Sequence, residues 1–262
     1  MRRLQLLEIE DQPWCPASLR NALTDYLRFA LDLTRPYDAI APRLAEAIRR
    51  SGATRVVDLC SGGGGPWRTL LAALRAAGCD ARVRLTDLYP NVAAFRALER
   101  ESGGRIEFAR EPVDATAVDA AHAGFRTLFT GFHHFPPAAA RRILEDAVRS
   151  GSGIGVFEFT ERRPHNLVGS LLIAPLFVWL TALFVRPLRR ATVLWTYPLP
   201  VLPLVAAFDG TVSILRTYSP DELIGMTRGL DGYEWQAGVE RVAPIPGGVT
   251  WLIGIPATGR AS

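Results

Sequence analysis

The 262 residues, 48% of them apolar and 21% charged, exclude a disordered chain and suffice for one elaborated α/β domain or two small ones. A net charge of +4, with all 30 cations arginine and no basic run, gives no support to nucleic acid as a partner. Cys15, Cys60 and Cys79 are widely spaced and form no CxxC, which argues against a disulfide framework and a zinc site and predicts no bound metal.

The N-terminal MRRLQLLEIEDQPW lacks the apolar core and cleavage site of a signal peptide, so a cytoplasmic enzyme is expected. Residues 17–33 carry apolar side chains at helical spacing, and 38–51 read as a second amphipathic helix. From there strands and helices alternate. Strands are predicted over 54–59, 82–87, 105–110, 126–131 and 153–159, with helices over 67–77, 91–101 and 137–149. Such alternation implies right-handed crossovers and a mainly parallel sheet. Residues 163–218 interrupt it with a stretch rich in Leu, Val, Pro and aromatics. Ser219-Pro220-Asp221-Glu222 then opens a short helix, with serine at the cap and acids in the first turn. Residues 233–241 and 249–255 read as a terminal antiparallel pair.

The expected fold is therefore α/β: a Rossmann-like, mostly parallel seven-stranded sheet with flanking helices, an N-terminal helical extension and an apolar insertion after strand five. The corresponding segments are 1–51 (helical extension or lid), 52–162 (core), 163–218 (insertion) and 219–262 (helix and strand pair).

The chemistry is expected at Asp58-Leu-Cys-Ser-Gly62-Gly63-Gly64-Gly65-Pro66-Trp67, between the first strand and its helix. Glycines there let the backbone approach a ligand, and the helix N-terminus offers N–H groups to an anion. A dinucleotide fingerprint begun at Gly62 would need glycine where Trp67 stands. Asp58, at the end of the strand, suits an amine better than a pyrophosphate. The second strand ends in Asp87, placed to accept ribose hydroxyls, and the third crossover supplies Asp114, placed to accept an adenine amine.

Asp58-x-x-x-Gly62-x-Gly64, Asp87, Asp114 and Thr130-Gly-Phe-His133-His134-Phe135 together resemble the class I S-adenosylmethionine-dependent methyltransferases, over about residues 52–160 and more loosely 219–255. The resemblance implies S-adenosyl-L-methionine as cofactor, held by Asp58, Cys60, Ser61, Gly62, Gly64, Asp87, Leu88, Asp114, Ala115 and Thr130. Cys60 departs from the pattern, because the family usually has a glycine there, and a Cβ makes a strained dihedral costly. A sulfonium methyl is already activated, so the protein must mainly align an acceptor and exclude water. Where a base is needed, His134 is the first candidate and His133 the second, with shaping of the loop as their alternative role; Glu158 reads as a hydrogen-bonding anchor near them. Tyr26, with Trp14, Arg20 and Asp25, belongs either to a lid or to a packing helix.

Residues 167–185 are 19 consecutive uncharged residues, followed by Arg186, Arg189 and Arg190. Three readings compete: a transmembrane hairpin, an interfacial patch on the inner face of a membrane, and a hydrophobic lid buried in the fold or in a homo-oligomer. The last two imply an apolar small-molecule or lipid-like substrate, or a very dry active site. Residues 208–218 are expected to lead back to the sheet with Asp209, Arg216 and Tyr218 as substrate contacts, Asp209-Gly210 reading as a turn. The expected function is methyl transfer to an apolar acceptor. The alternatives are cleavage or cyclisation of the cofactor, and a non-catalytic, membrane-associated cofactor-binding module.

Overall fold

Seven strands form one sheet: β1 (Val56–Asp58), β2 (Val83–Leu85), β3 (Ile106–Phe108), β4 (Phe125–Phe129), β5 (Ile154–Glu158), β6 (Tyr233–Arg241) and β7 (Gly248–Pro256). Their order is β3-β2-β1-β4-β5-β7-β6. The first five are parallel, and β7 runs antiparallel to both β5 and β6. The computed structural model describes residues 1–242 and 247–257, so 243–246 and 258–262 of the expected C-terminal segment lie outside the described residues.

Contacts divide the chain into two units: Arg35–Phe159 with Ser219–Ser262, and Met1–Thr34 with Thr160–Tyr218. The first of these holds the sheet. Strands β1, β4 and β5 are buried along their whole length, as apolar runs in a parallel sheet must be. Helices α2 (Ala41–Ser51), α3 (Trp67–Ala76), α4 (Val92–Glu101) and α5 (Pro137–Arg149) belong to this unit, and the last three connect successive strands. Helix α10 (Pro220–Met226) starts with a reciprocal capping box. Glu222 N–H donates to Ser219 Oγ at 3.3 Å, and Ser219 N–H donates to Glu222 Oε2 at 2.8 Å. Because β1 pairs with β2 on one side and β4 on the other, the strand order reverses at β1, and ligands of open α/β sheets bind beyond the carboxyl ends of the strands at such a switch point.

The other unit is helical: α1 (Ala17–Thr34), α6 (Pro164–Val168), a π turn (Gly169–Ile173), α7 (Ala174–Thr181), a 3-10 turn (Ala182–Phe184), α8 (Arg190–Thr196) and α9 (Val201–Arg216). Leu19, Leu23, Tyr26, Val178, Val185, Leu202 and Val205 form its core. The extension and the insertion, separate segments in the sequence reading, make one unit, while residues 35–51 go with the sheet.

The expected return to the sheet at 208–218 does not occur; these residues lie in α9 and its end. Pro200 caps α9 and Pro203 sits in its first turn, where no intrahelical N–H is required, so the prolines start a helix instead of breaking one. Asp209-Gly210 lies inside the helix. A Cβ on Gly210 would meet Ser170 Oγ at 2.8 Å, so glycine there serves close packing and not a turn.

Candidate functional site

The glycine loop leaves β1 under tight control. Past the regular pairing, Leu59 N–H still donates to Thr127 O at 2.8 Å and Ser61 N–H to Thr86 O at 3.0 Å. Gly62, Gly64 and Gly65 then take φ of 52°, 107° and 56°, the region that favours glycine. Cys60 takes φ 55° despite its Cβ, so cysteine stands here in a backbone region that favours glycine. Burial pushes its thiol pKa up, which makes it a poor nucleophile.

Asp58 does not present itself to an amine as expected. It is buried; its Oδ2 accepts from Ser61 Oγ and its Oδ1 from Thr127 Oγ1, both at 2.7 Å. Burial pushes its carboxyl up to about 7, against the pull of the Ser61 and Thr127 hydroxyls and the Trp67 indole N–H. Asp58 is thus a brace joining β1, the loop and β4, and Ser61 is the other half of that brace.

Asp87 is the carboxylate that meets the loop. Its Oδ2 accepts from Gly62 N–H and its Oδ1 from Tyr89 N–H, both at 2.8 Å, while the side chain stays half-exposed. Its carbonyl accepts from Val113 N–H at 2.9 Å, which draws in the next crossover. Asp114 is exposed there, its Oδ1 accepting from Thr116 N–H and Oγ1 in a local turn. Leu88 is exposed and Ala115 buried beside these acids. The structure therefore brings the segments that carry Gly62, Gly64, Asp87, Leu88, Asp114 and Ala115 together beyond the carboxyl ends of β1, β2 and β3.

At the end of β4, Thr130 takes φ 47°, costly for a β-branched residue. A Cβ on the following Gly131 would stand 3.5 Å from Cys60 Cβ, so the two strained turns lie side by side. His133 Nδ1 lies 2.6 Å from Glu158 Oε2, and Glu158 Oε1 accepts from the N–H groups of Phe132 and His133 at 2.7 and 3.2 Å. Glu158 is the anchor expected of it. His133 is the histidine it orients; His134 is half-buried, its ring tilted against that of His133 at 4.3 Å.

The four expected substrate residues fall in the helical unit, and each is used inside it. Tyr26 is buried in its core near Phe177. Asp209 accepts from the N–H groups of Ile9 and Glu10 at 2.7 and 3.0 Å. Arg216 pairs with Glu8 at 3.2 Å and Asp11 at 3.6 Å. Arg3 lies over the ring of buried Tyr218 at 3.9 Å. These contacts fasten residues 3–11 to α9 and the residues just after it. Sequence spacing gave no sign of this, because the partners lie some two hundred positions apart.

Tyr37 was missed. Its hydroxyl is bonded to Thr130 Oγ1 and accepts from Phe159 N–H at 3.2 Å, tying together the ends of β4 and β5. Burial raises its pKa. A lone tyrosine before a helix carried no motif by which to find it.

No family model and no curated protein sequence matches this chain. Solved structures resemble it. An O-methyltransferase family protein from Burkholderia thailandensis is 19% identical with a TM-score of 0.50, the match covering 90% of this chain and 60% of the other. The O-methyltransferase NcsB1 from neocarzinostatin biosynthesis, in complex with S-adenosyl-L-homocysteine and 1,4-dihydroxy-2-naphthoic acid, is 17% identical with a TM-score of 0.54, covering 92% and 59%. The plantazolicin methyltransferase BpumL, in complex with S-adenosyl-L-homocysteine, is 10% identical with a TM-score of 0.51, covering 95% and 93%. This chain spans about 60% of the length of the first two. At these identities the likeness is one of fold: the chain has the Rossmann-like fold of the class I S-adenosylmethionine-dependent methyltransferases.

Proposed function

On that fold, we propose that the protein transfers a methyl group from S-adenosylmethionine to a hydroxyl of an apolar small molecule. The observation that carries this reading is the 2.8 Å hydrogen bond from Gly62 N–H to Asp87, which joins the glycine loop to the second strand's carboxylate at the switch point of the sheet.

The residues present fit the cofactor's chemistry. Asp87 offers a half-exposed carboxylate to a pair of ribose hydroxyls. A Cβ on Gly62 would meet nothing within 4 Å, so the backbone is open to a ligand there. Asp114 offers an acceptor to an adenine amine, with exposed Leu88 as apolar surface for the ring. Asp58, occupied by Ser61 and Thr127, contributes the shape of the loop and not a contact.

When bound, the cofactor supplies a methyl group already activated on sulfonium. What the chain itself must do is position the acceptor, exclude water and take its proton. Glu158 holds His133 through Nδ1, and we assign the imidazole of His133 to accept the hydroxyl proton. His134 shapes the short turn after β4. The activities named for the structural neighbours support oxygen as the acceptor atom, and the naphthoic acid held by NcsB1 supports an apolar aromatic acceptor.

The test is calorimetry with S-adenosylmethionine on the protein and on Asp87→Ala, followed by product mass spectrometry. Binding lost in the variant, with products gaining one methyl, supports the reading. Equal binding by both proteins, or methylthioadenosine without a methylated product, overturns it.

A further inference from the structure

We infer that the helical unit docks on an anionic lipid bilayer, lying in its interface through the exposed side of residues 164–184. This stands apart from methyl transfer. Pro164–Phe184 reads as one 21-residue helix of mean hydropathy 2.2, yet only 11% of its apolar stretch is buried. A core helix of that composition would be mostly covered. Here Leu172, Ile173, Leu180 and Phe184 are 67%, 63%, 56% and 66% exposed, and Leu176 and Trp179 are exposed beside them. A contiguous apolar surface of this kind marks an interaction site.

The opposite side of the helix is already committed. Val178, Ala182 and Val185 form a buried stripe at helical spacing, and Val178 and Val185 join Leu19, Leu23, Tyr26, Leu202 and Val205 in the core. The helix is therefore fixed along α1 and α9. Helix α1 carries Arg20, Asp25, Arg28 and Asp32, which a membrane-spanning orientation would drag into hydrocarbon. Helices α8 and α9 are apolar enough together for a span, but they meet at 79°, and α9 holds Asp209 and Arg216. A helix apolar on its outer side and fastened to a charged partner on its inner side lies in the interface.

The charges choose the occupant. From residue 162 to residue 208 there are five arginines and no acid. Arg186, Arg189 and Arg190 follow directly on the apolar helix and are exposed. Arg189 is anchored by Asp25 at 2.7 Å. A second copy of this chain would set the same arginines against each other, whereas anionic headgroups neutralise them. Trp179 and Tyr197, whose rings are 6.0 Å apart, add the amphipathic aromatics suited to headgroup depth.

The probe is the full chain with phosphatidylcholine vesicles, with and without roughly 30 mol% phosphatidylglycerol, read by flotation and tryptophan fluorescence. The protein should float with the anionic vesicles, less so in high salt, and be released by alkaline carbonate. Arg186→Gln with Arg190→Gln should weaken anionic binding roughly tenfold or more. Leu172→Asp with Leu180→Asp should abolish it while far-UV circular dichroism stays unchanged. Three results would overturn the proposal: no flotation with anionic vesicles, retention through carbonate extraction, or a dimer in solution that the two aspartates dissociate.

Discussion

Thr130 holds a left-handed backbone, φ 47°, with its hydroxyl bonded to that of Tyr37. The conformation is one a β-branched residue avoids, at a cost of about 1–3 kcal/mol. Tyr37 supplies the restraint, since its hydroxyl also bonds the backbone after β5. The strain keeps the end of β4 turned beside Cys60, itself at φ 55°. Thr130→Gly relieves the strain but removes the hydroxyl bonded to Tyr37 and frees the unfolded chain, so it should leave stability within about 1 kcal/mol of the parent while lowering methyl transfer. Thr130→Ala, which loses the same hydroxyl but keeps a Cβ in the left-handed region, should be less stable than Thr130→Gly in urea titration; equal stability of the two would show that the turn is not strained.

Asp87 should control cofactor affinity. Its loss removes charge-assisted hydrogen bonds, so Asp87→Ala should weaken S-adenosylmethionine binding by about 10–100-fold in calorimetry. Asp114→Ala, which removes an exposed acid, should cost less.

His133 and Glu158 should separate chemistry from binding. His133→Ala should lower kcat by about 10²–10⁴-fold with little change in cofactor affinity, as removal of a general base does. Glu158→Gln keeps an acceptor for the backbone of Phe132 and His133 but loses the charge beside Nδ1. It should lower kcat less than His133→Ala and shift the pH–rate profile. His134→Ala should leave that profile in place.

Asp58 gives stability a pH dependence of definite sign. Burial raises its carboxyl from 3.8 to about 7 in the folded protein. Between these values the folded state holds a proton that the unfolded state has released. The stabilising contribution is thus fully present below about pH 4 and is lost as pH rises towards 7. Asp58→Asn keeps the volume and can still bond Ser61 and Thr127. It should flatten the urea midpoint across this window relative to the parent.

The glycines of the loop differ in what they tolerate. A Cβ on Gly64 would stand 2.0 Å from Leu98 Cδ1, at φ 107°. Gly64→Ala should cost about 2–3 kcal/mol, and Leu98→Ala should relieve the clash but not the backbone strain. Gly62→Ala, at φ 52° with nothing within 4 Å, should cost about 1 kcal/mol. Urea unfolding of the four proteins decides whether packing or backbone sets the difference.

The sequence by itself determined the alternation of strands and helices, because burial on both faces of a parallel sheet leaves short apolar runs and crossovers leave amphipathic ones. It placed Gly62, Gly64, Asp87 and Asp114 at successive strand ends, and Ser219 at its cap, since these depend on neighbours a few positions away. Only the tertiary structure decided that Asp58 braces the loop, that Glu158 orients His133, and that Asp209 and Arg216 hold residues 8–11. Those roles are set by which distant group fills a buried hydrogen-bonding valence. A local pattern carries no record of a partner two hundred residues away; burial makes that partner obligatory only once the chain has folded.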